Sequence, residues 1–234
     1  YTGWYTLSLH DALPISLLGW GAARTLAPTG SGRFEALRRD AERLFAAYRE
    51  TTPGEPSPRL FGGLAFSPGV RSLSAWAHHG DSRFILPRLC YEQRGERALL
   101  RLVLSGREAR QSGFVEGWLR RLQGLHLALE IGEPPRGASC HVLERQEEAP
   151  GTWRQRVEAI ASALQGGQLT KVVAAREVKL AFAAPPTLDS LLASLLDASE
   201  TSTAFAFGFG PALFLGSSPE RLITRGAETE GEGG

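Results

Sequence analysis

The stretch Thr203-Ala204-Phe205-Ala206-Phe207-Gly208-Phe209-Gly210-Pro211-Ala212-Leu213-Phe214-Leu215-Gly216-Ser217-Ser218-Pro219-Glu220-Arg221-Leu222 decides the fold class. It reads as two strands, 203–209 and 212–215, split by the turn dipeptide Gly210-Pro211. Strands joined by so tight a turn pair antiparallel. A Ser-Ser-Pro turn closes the second strand and sets Glu220 directly after it. Residues 221–224 read as the start of another strand.

Working outward, the sequence Leu169-Thr170-Lys171-Val172-Val173-Ala174-Ala175-Arg176 precedes this stretch. Its β-branched, apolar run reads as a buried strand over 169–180, with Lys171 inside it. A helix over 153–164 comes before, with Trp153, Val157, Ile160, Ala161 and Leu164 as its buried face, and Gly166-Gly167 ends it. Another helix begins at Thr187 after Pro185-Pro186 and carries Leu188, Leu191, Leu192 and Leu195, which read as core. Residues 145–151 read as a polar break, and 132–137, with Pro134-Pro135, as a linker.

The first half repeats the mixture of strands and helices. Residues 33–50 form an amphipathic helix, with Phe34, Leu37, Leu44, Phe45 and Tyr48 on one face. A Pro-rich connector over 51–58 leads to a strand over 60–66. Gly62-Gly63 within it signals a bulge or a close backbone approach. Strands follow over 83–89 and 98–104, with the polar turn 93–96 between them. A short helix over 114–122 uses Phe114, Trp118 and Leu122. Together these elements give an α+β class, antiparallel sheets with helices packed on them.

Composition limits the function. The 234 residues carry a net charge of +1 and are 42% apolar, enough for a substantial core. No basic stripe interleaved with aromatics supports nucleic-acid binding. No apolar run is long enough to span a membrane, and no secretory signal is recognisable. Cys90 and Cys140 lie far apart and read first as two reduced thiols of a cytoplasmic protein, with a disulfide or a metal site as the alternatives. His78-His79 lacks further ligands at metal spacing and reads as exposed loop. Gly30-Ser31-Gly32 follows no strand and lacks the third glycine of a dinucleotide site. The chain has no methionine. Residues 1–16 resemble translated sequencing-adapter sequence and are set aside as non-native, and the polar, Gly-rich end over 226–234 reads as a truncation. The expected organisation is therefore 1–16 as that segment, 17–150 as an N-terminal part, and 151–234 as the opening of a catalytic region.

Lys171 and Glu220, each in apolar surroundings, form a candidate base and acid. Their motifs resemble those of the chorismate-utilising enzymes, specifically the isochorismate synthases. Further likeness lies in Phe61-Gly62-Gly63-Leu64-Ala65-Phe66-Ser67-Pro68, in Trp76 and in Phe84-Ile85-Leu86-Pro87-Arg88-Leu89. The resemblance implies layered antiparallel sheets with outer helices. It also implies conversion of chorismate to isochorismate, with water added at C2 and hydroxide lost from C4, for menaquinone or siderophore synthesis. On that reading Lys171 takes a proton from water and Glu220 protonates the leaving hydroxyl. Ammonia-using members of the family generally carry glutamine where Lys171 stands, so the lysine favours water. Salicylate synthases share the lysine. Salicylate, aminodeoxychorismate or anthranilate synthesis and a non-catalytic homologue are the competing readings.

The expected chemistry needs a neutral lysine, normally protonated up to about pH 10.4, and a protonated glutamate. An apolar pocket pushes both toward neutrality, whereas direct contact favours the ion pair. The two groups are therefore expected to flank the substrate. Thr170 and Ser218 are weaker candidates for contacting substrate or water, with backbone or turn bonding as their ordinary use. Arg176 is expected to pair with a buried carboxylate. The resemblance further implies Mg2+, bound through glutamates downstream of this chain and holding the C1 carboxylate. It leaves the 234-residue piece inactive alone.

Overall fold

A computed structural model describes residues 3–8, 15–52, 57–69, 75–131, 141–167, 169–197, 202–220 and 223. Among these described residues are a seven-stranded sheet, a two-stranded sheet and five α-helices. The chain divides into a larger unit, residues 1–133 and 192–234, and a smaller one, residues 134–191.

In the larger unit the strands are β1 (Gly3–Ser8), β2 (Ile15–Leu26), β3 (Phe61–Leu64), β4 (Ser82–Arg94), β5 (Arg97–Leu102), β8 (Thr203–Phe209) and β9 (Ala212–Ser218). Their order is β3-β4-β2-β1-β8-β9, and every pairing is antiparallel. β4 is the spine. One of its edges carries β2, and the other is shared by β3, paired at 82–85, and β5, paired at 89–94. The backbone of residues 3–8, set aside in the sequence reading, lies as β1 between β2 and β8.

Phe61, Ile85, Cys90 and Phe209 form a buried cluster, with Leu17 and Phe207 packed against it. β3 approaches β4 so closely that a Cβ at Gly62 would sit 2.1 Å from the Arg83 carbonyl oxygen and 2.6 Å from Phe84 Cα. This is the close approach that the glycine pair signals. The sequence-based turn at 93–96 is tighter than expected, since Arg94 and Arg97 already pair across it.

Helix α1 (Arg33–Ala47) ends three residues before the expected boundary, where Tyr48 turns to extended backbone. Its expected apolar face is only partly covered: Leu37 and Leu44 are half-buried, but Phe34 and Phe45 are exposed. A short helix missed from sequence, α2 (Gly106–Ala109), begins with a capping box. Ser105 Oγ accepts from the Glu108 N–H, and the Glu108 carboxylate accepts from the Ser105 N–H. Helix α3 (Ser112–Ile131) is longer than expected, and Trp118 is buried edge-on to Trp20 at 5.5 Å. The linker read at 132–137 lies outside the described residues.

The smaller unit holds β6 (Val142–Glu147), helix α4 (Pro150–Gln165) and β7 (Val178–Phe182). Two expectations are corrected here. The supposed polar break from 145 contains the end of β6, which pairs with β7. The supposed strand over 169–180 is regular only from Val178, because β6 stops at Glu147, opposite Val178. Beyond that point the partner strand has turned into α4, and residues 169 to 177 have no ladder to join. Proline at the start of α4 suits a helix N-terminus, where its missing N–H costs nothing. Trp153, Ile160 and Leu164 are half-buried, while Val157 and Ala161, expected on the same face, are exposed. Helix α5 (Leu188–Asp197) crosses from one unit's residues to the other's. Thr187 caps it by accepting the Ser190 N–H at 3.3 Å, and Leu192 is its buried residue.

Candidate functional site

Glu220 is positioned by β8 and β9. In β8 alternate residues Ala204 and Ala206 are almost fully buried, and the opposite face carries Phe205, Phe207 and Phe209. The register pairs Phe205 with Gly216 and Phe207 with Phe214. A Cβ at Gly216 would lie 2.8 Å from the Phe205 ring, so the ring occupies the space that glycine leaves free. β9 runs three residues beyond its expected end, to Ser218. There the Ser218 hydroxyl accepts the Glu220 N–H at 3.2 Å, the turn bond that a serine before Pro-Glu favours. Glu220 itself is exposed. The neighbouring Ser217 hydroxyl oxygen is buried and has no hydrogen-bond partner. Residues 221, 222 and 224, read as the start of a further strand, lie outside the described residues, and Ile223 is exposed and outside any strand.

Lys171 belongs to the smaller unit. Thr170 forms a bend, and both Thr170 and Lys171 are exposed and outside regular structure. The buried strand expected around Lys171 is thus corrected: no apolar enclosure surrounds its side chain among the described residues of its unit. The segment is tied to α4 instead. Arg156 stacks over Trp153 at 5.9 Å, donates to the Ala175 carbonyl at 3.5 Å and pairs with Glu148. Arg176 is exposed and does not take up the buried carboxylate expected for it. Its charge is the last of the influences that hold Glu147 below the usual carboxylate range, after the hydrogen bond from Arg145, which leads. Lys171 and Glu220 therefore fall in different units.

Sequence reasoning gave no role to a cavity of about 640 Å³ in the larger unit, bounded by Trp76, His79, Arg83, Phe209 and Phe214 among others. His79 was read as exposed loop, but it is half-buried, with its ring 5.3 Å from Phe209 and 5.7 Å from Trp76. Burial first, then the nearby Arg83 charge, lowers its pKa. Its neighbour His78 is exposed, as expected. The signal that could have found the cavity is the alternation of Phe205, Phe207 and Phe209, which lays three aromatic rings along one sheet face. Among the described residues, no three His, Cys, Asp or Glu side chains gather in a way that could hold a metal ion.

Residues 9–229 match the family described as chorismate binding enzyme. The chain is 30% identical to isochorismate synthase MenF of Bacillus subtilis over 201 residues, covering 84% of this chain and 41% of that protein. It is 29% identical to isochorismate synthase MenF of Escherichia coli over 184 residues, covering 74% and 37%. It is 27% identical to the salicylate biosynthesis isochorismate synthase of Pseudomonas aeruginosa over 219 residues, covering 89% and 43%. The solved structure of the menaquinone-specific isochorismate synthase MenF from Escherichia coli superposes with a TM-score of 0.59 at 24% identity. That match covers 95% of this chain and 45% of the other, and it shows a shared fold. The chain spans less than half the length of each of these relatives. With a family match that runs through nearly all of its residues, the chain belongs to the chorismate binding enzymes.

Proposed function

We propose that this chain carries the general base and general acid of an isochorismate synthase, Lys171 and Glu220. The carrying observation is their placement in two ordered motifs, within a chain similar along most of its length to proteins named isochorismate synthase. The Ser218 turn supports the reading for Glu220, since it fixes the backbone from which the carboxyl group projects. Lys171 activates water for attack at C2 of chorismate, and Glu220 gives a proton to the departing C4 hydroxyl. The proton removed and the proton supplied balance, so the reaction is an isomerisation. Burial of Lys171 by parts of a longer polypeptide supplies the desolvation that a neutral lysine needs. The product feeds menaquinone or siderophore synthesis in the cytoplasm. Magnesium enters through the resemblance alone, with ligands outside this chain.

The test uses a polypeptide completed to the length of the relatives. Lys171→Ala and Glu220→Gln are each expected to lower turnover about 100-fold to 10,000-fold while the protein stays folded, with isochorismate measured by chromatography. Turnover like that of the unaltered protein would remove the role from that residue. Ammonium is expected to give no aminated product; an amino product would assign the protein to the ammonia-using branch. The 234-residue chain alone is expected to give no turnover, and magnesium is not expected to raise its melting temperature.

A further inference from the structure

We propose that the aromatic cavity of the larger unit is a binding site for a planar aromatic carboxylate. Neither Lys171 nor Glu220 lines it, and the inference does not depend on the roles given to them. Its volume of about 640 Å³ falls within the range of ordinary small-molecule sites, roughly 300–1,000 Å³. Its walls are rings at fixed angles. Trp76 meets Phe214 edge-on at 4.9 Å, and His79 meets Phe209 edge-on at 5.3 Å. Such walls favour a flat apolar body, which can stack on one ring and meet the edge of the next.

The charge in the cavity selects the sign of the ligand. Arg83 lines the cavity, with its guanidinium over the Phe209 ring at 4.5 Å. A guanidinium in the wall of an apolar cavity favours an anion, and a carboxylate is the acceptor whose planar shape it matches. His79, whose pKa is lowered by burial and then by the Arg83 charge, leaves Arg83 to supply the positive charge of this wall. The walls are also held in place. Asp81 accepts the Gly30 and Gly69 N–H groups at 2.7 and 2.8 Å, clamping two loops. Buried Arg33 donates to the Ala65 and Phe66 carbonyls on the rim at 3.0 and 3.4 Å. A site on a fixed rim requires little ordering when the ligand enters.

The experiment titrates the 234-residue chain by calorimetry at pH 7 with coumarin-3-carboxylate and with coumarin, its uncharged parent. The carboxylate is expected to bind about 10-fold or more tightly than coumarin, the scale of one charge-assisted hydrogen bond. Arg83→Gln is expected to remove that preference, weakening the carboxylate about 10-fold more than it weakens coumarin. Phe214→Ala is expected to weaken both ligands. Equal affinity for the two ligands in the unaltered chain overturns the proposal without reference to any variant. So does the absence of binding, or a carboxylate preference that survives Arg83→Gln.

Discussion

Two ionisable side chains of the larger unit report their surroundings directly. Burial pushes the Cys90 thiol up to about 11, with the Arg101 charge opposing. A thiol held neutral inside a core is a poor nucleophile. In a Cys140→Ser background, Cys90 is expected to react with an aromatic disulfide reagent at pH 8 at least ~100-fold more slowly in the native state than in denaturant. Glu108 shows the opposite displacement. The Arg88 guanidinium, donating at 2.7 and 3.0 Å, and then the Ser105 N–H lower it to about 2, from a usual value of 4.5. The Arg88 and Glu108 side chains are 13% and 24% exposed, so solvent screens the pair less than an open surface bridge. A depressed carboxyl stabilises the fold above its unfolded value, and that contribution fades as pH falls from 4.5 through 2. Glu108→Gln is therefore expected to cost about 1–2 kcal/mol at pH 7, with the gap to the unaltered chain closing toward pH 2. Urea unfolding at a series of pH values measures both.

At the scale of elements, β3 offers a comparison between neighbours. A methyl group on Gly62 would press into the backbone of β4, whereas Gly63 has nothing within 4 Å of the same position. Gly62→Ala is expected to lower stability by about 1–3 kcal/mol, and Gly63→Ala by well under that, in paired denaturant titrations. A comparable loss at both positions would contradict the close approach. The same level shows what sequence could reveal. β8 and β9 were legible because aromatic alternation and Gly210-Pro211 are local signals. β6 was not, because all six of its side chains are exposed and its polar residues follow no alternation. The stretch from Lys171 to Arg176 was misread for the converse reason. Its composition suits a strand, but a strand also needs a partner, and the partner's length is written elsewhere, at Pro150. Phe34 and Phe45 keep helical spacing, yet periodicity does not say how much of a helix face is covered. At the candidate site, Lys171 and Glu220 are marked by their motifs, and the Ser218 turn bond is local enough to be legible beside them. The surroundings of Lys171 depend on tertiary context that no local pattern contains.

On the scale of the whole molecule, the two units differ in how they bury themselves. The larger sheet has a fully buried spine at Ile85, Leu86 and Pro87. Among the described residues of the smaller unit none is fully buried, and its sheet has two strands. A two-stranded sheet is marginal by itself. Amide exchange is therefore expected to be slowest along β2 and β4 and at least about 100-fold faster across β6 and β7 in the 234-residue chain. Similar protection in both sheets would show that the smaller unit has more support than its burial indicates. The larger unit is also discontinuous along the chain, its two parts separated by residues 134–191. During synthesis Trp76 and His79 emerge well before Phe209 and Phe214, the rings they will meet. At about 5–20 residues per second the intervening stretch of more than 100 residues takes roughly 5–25 s to make. For that interval the nascent chain presents an aromatic surface whose natural cover has not yet left the ribosome, a window in which a chaperone can act.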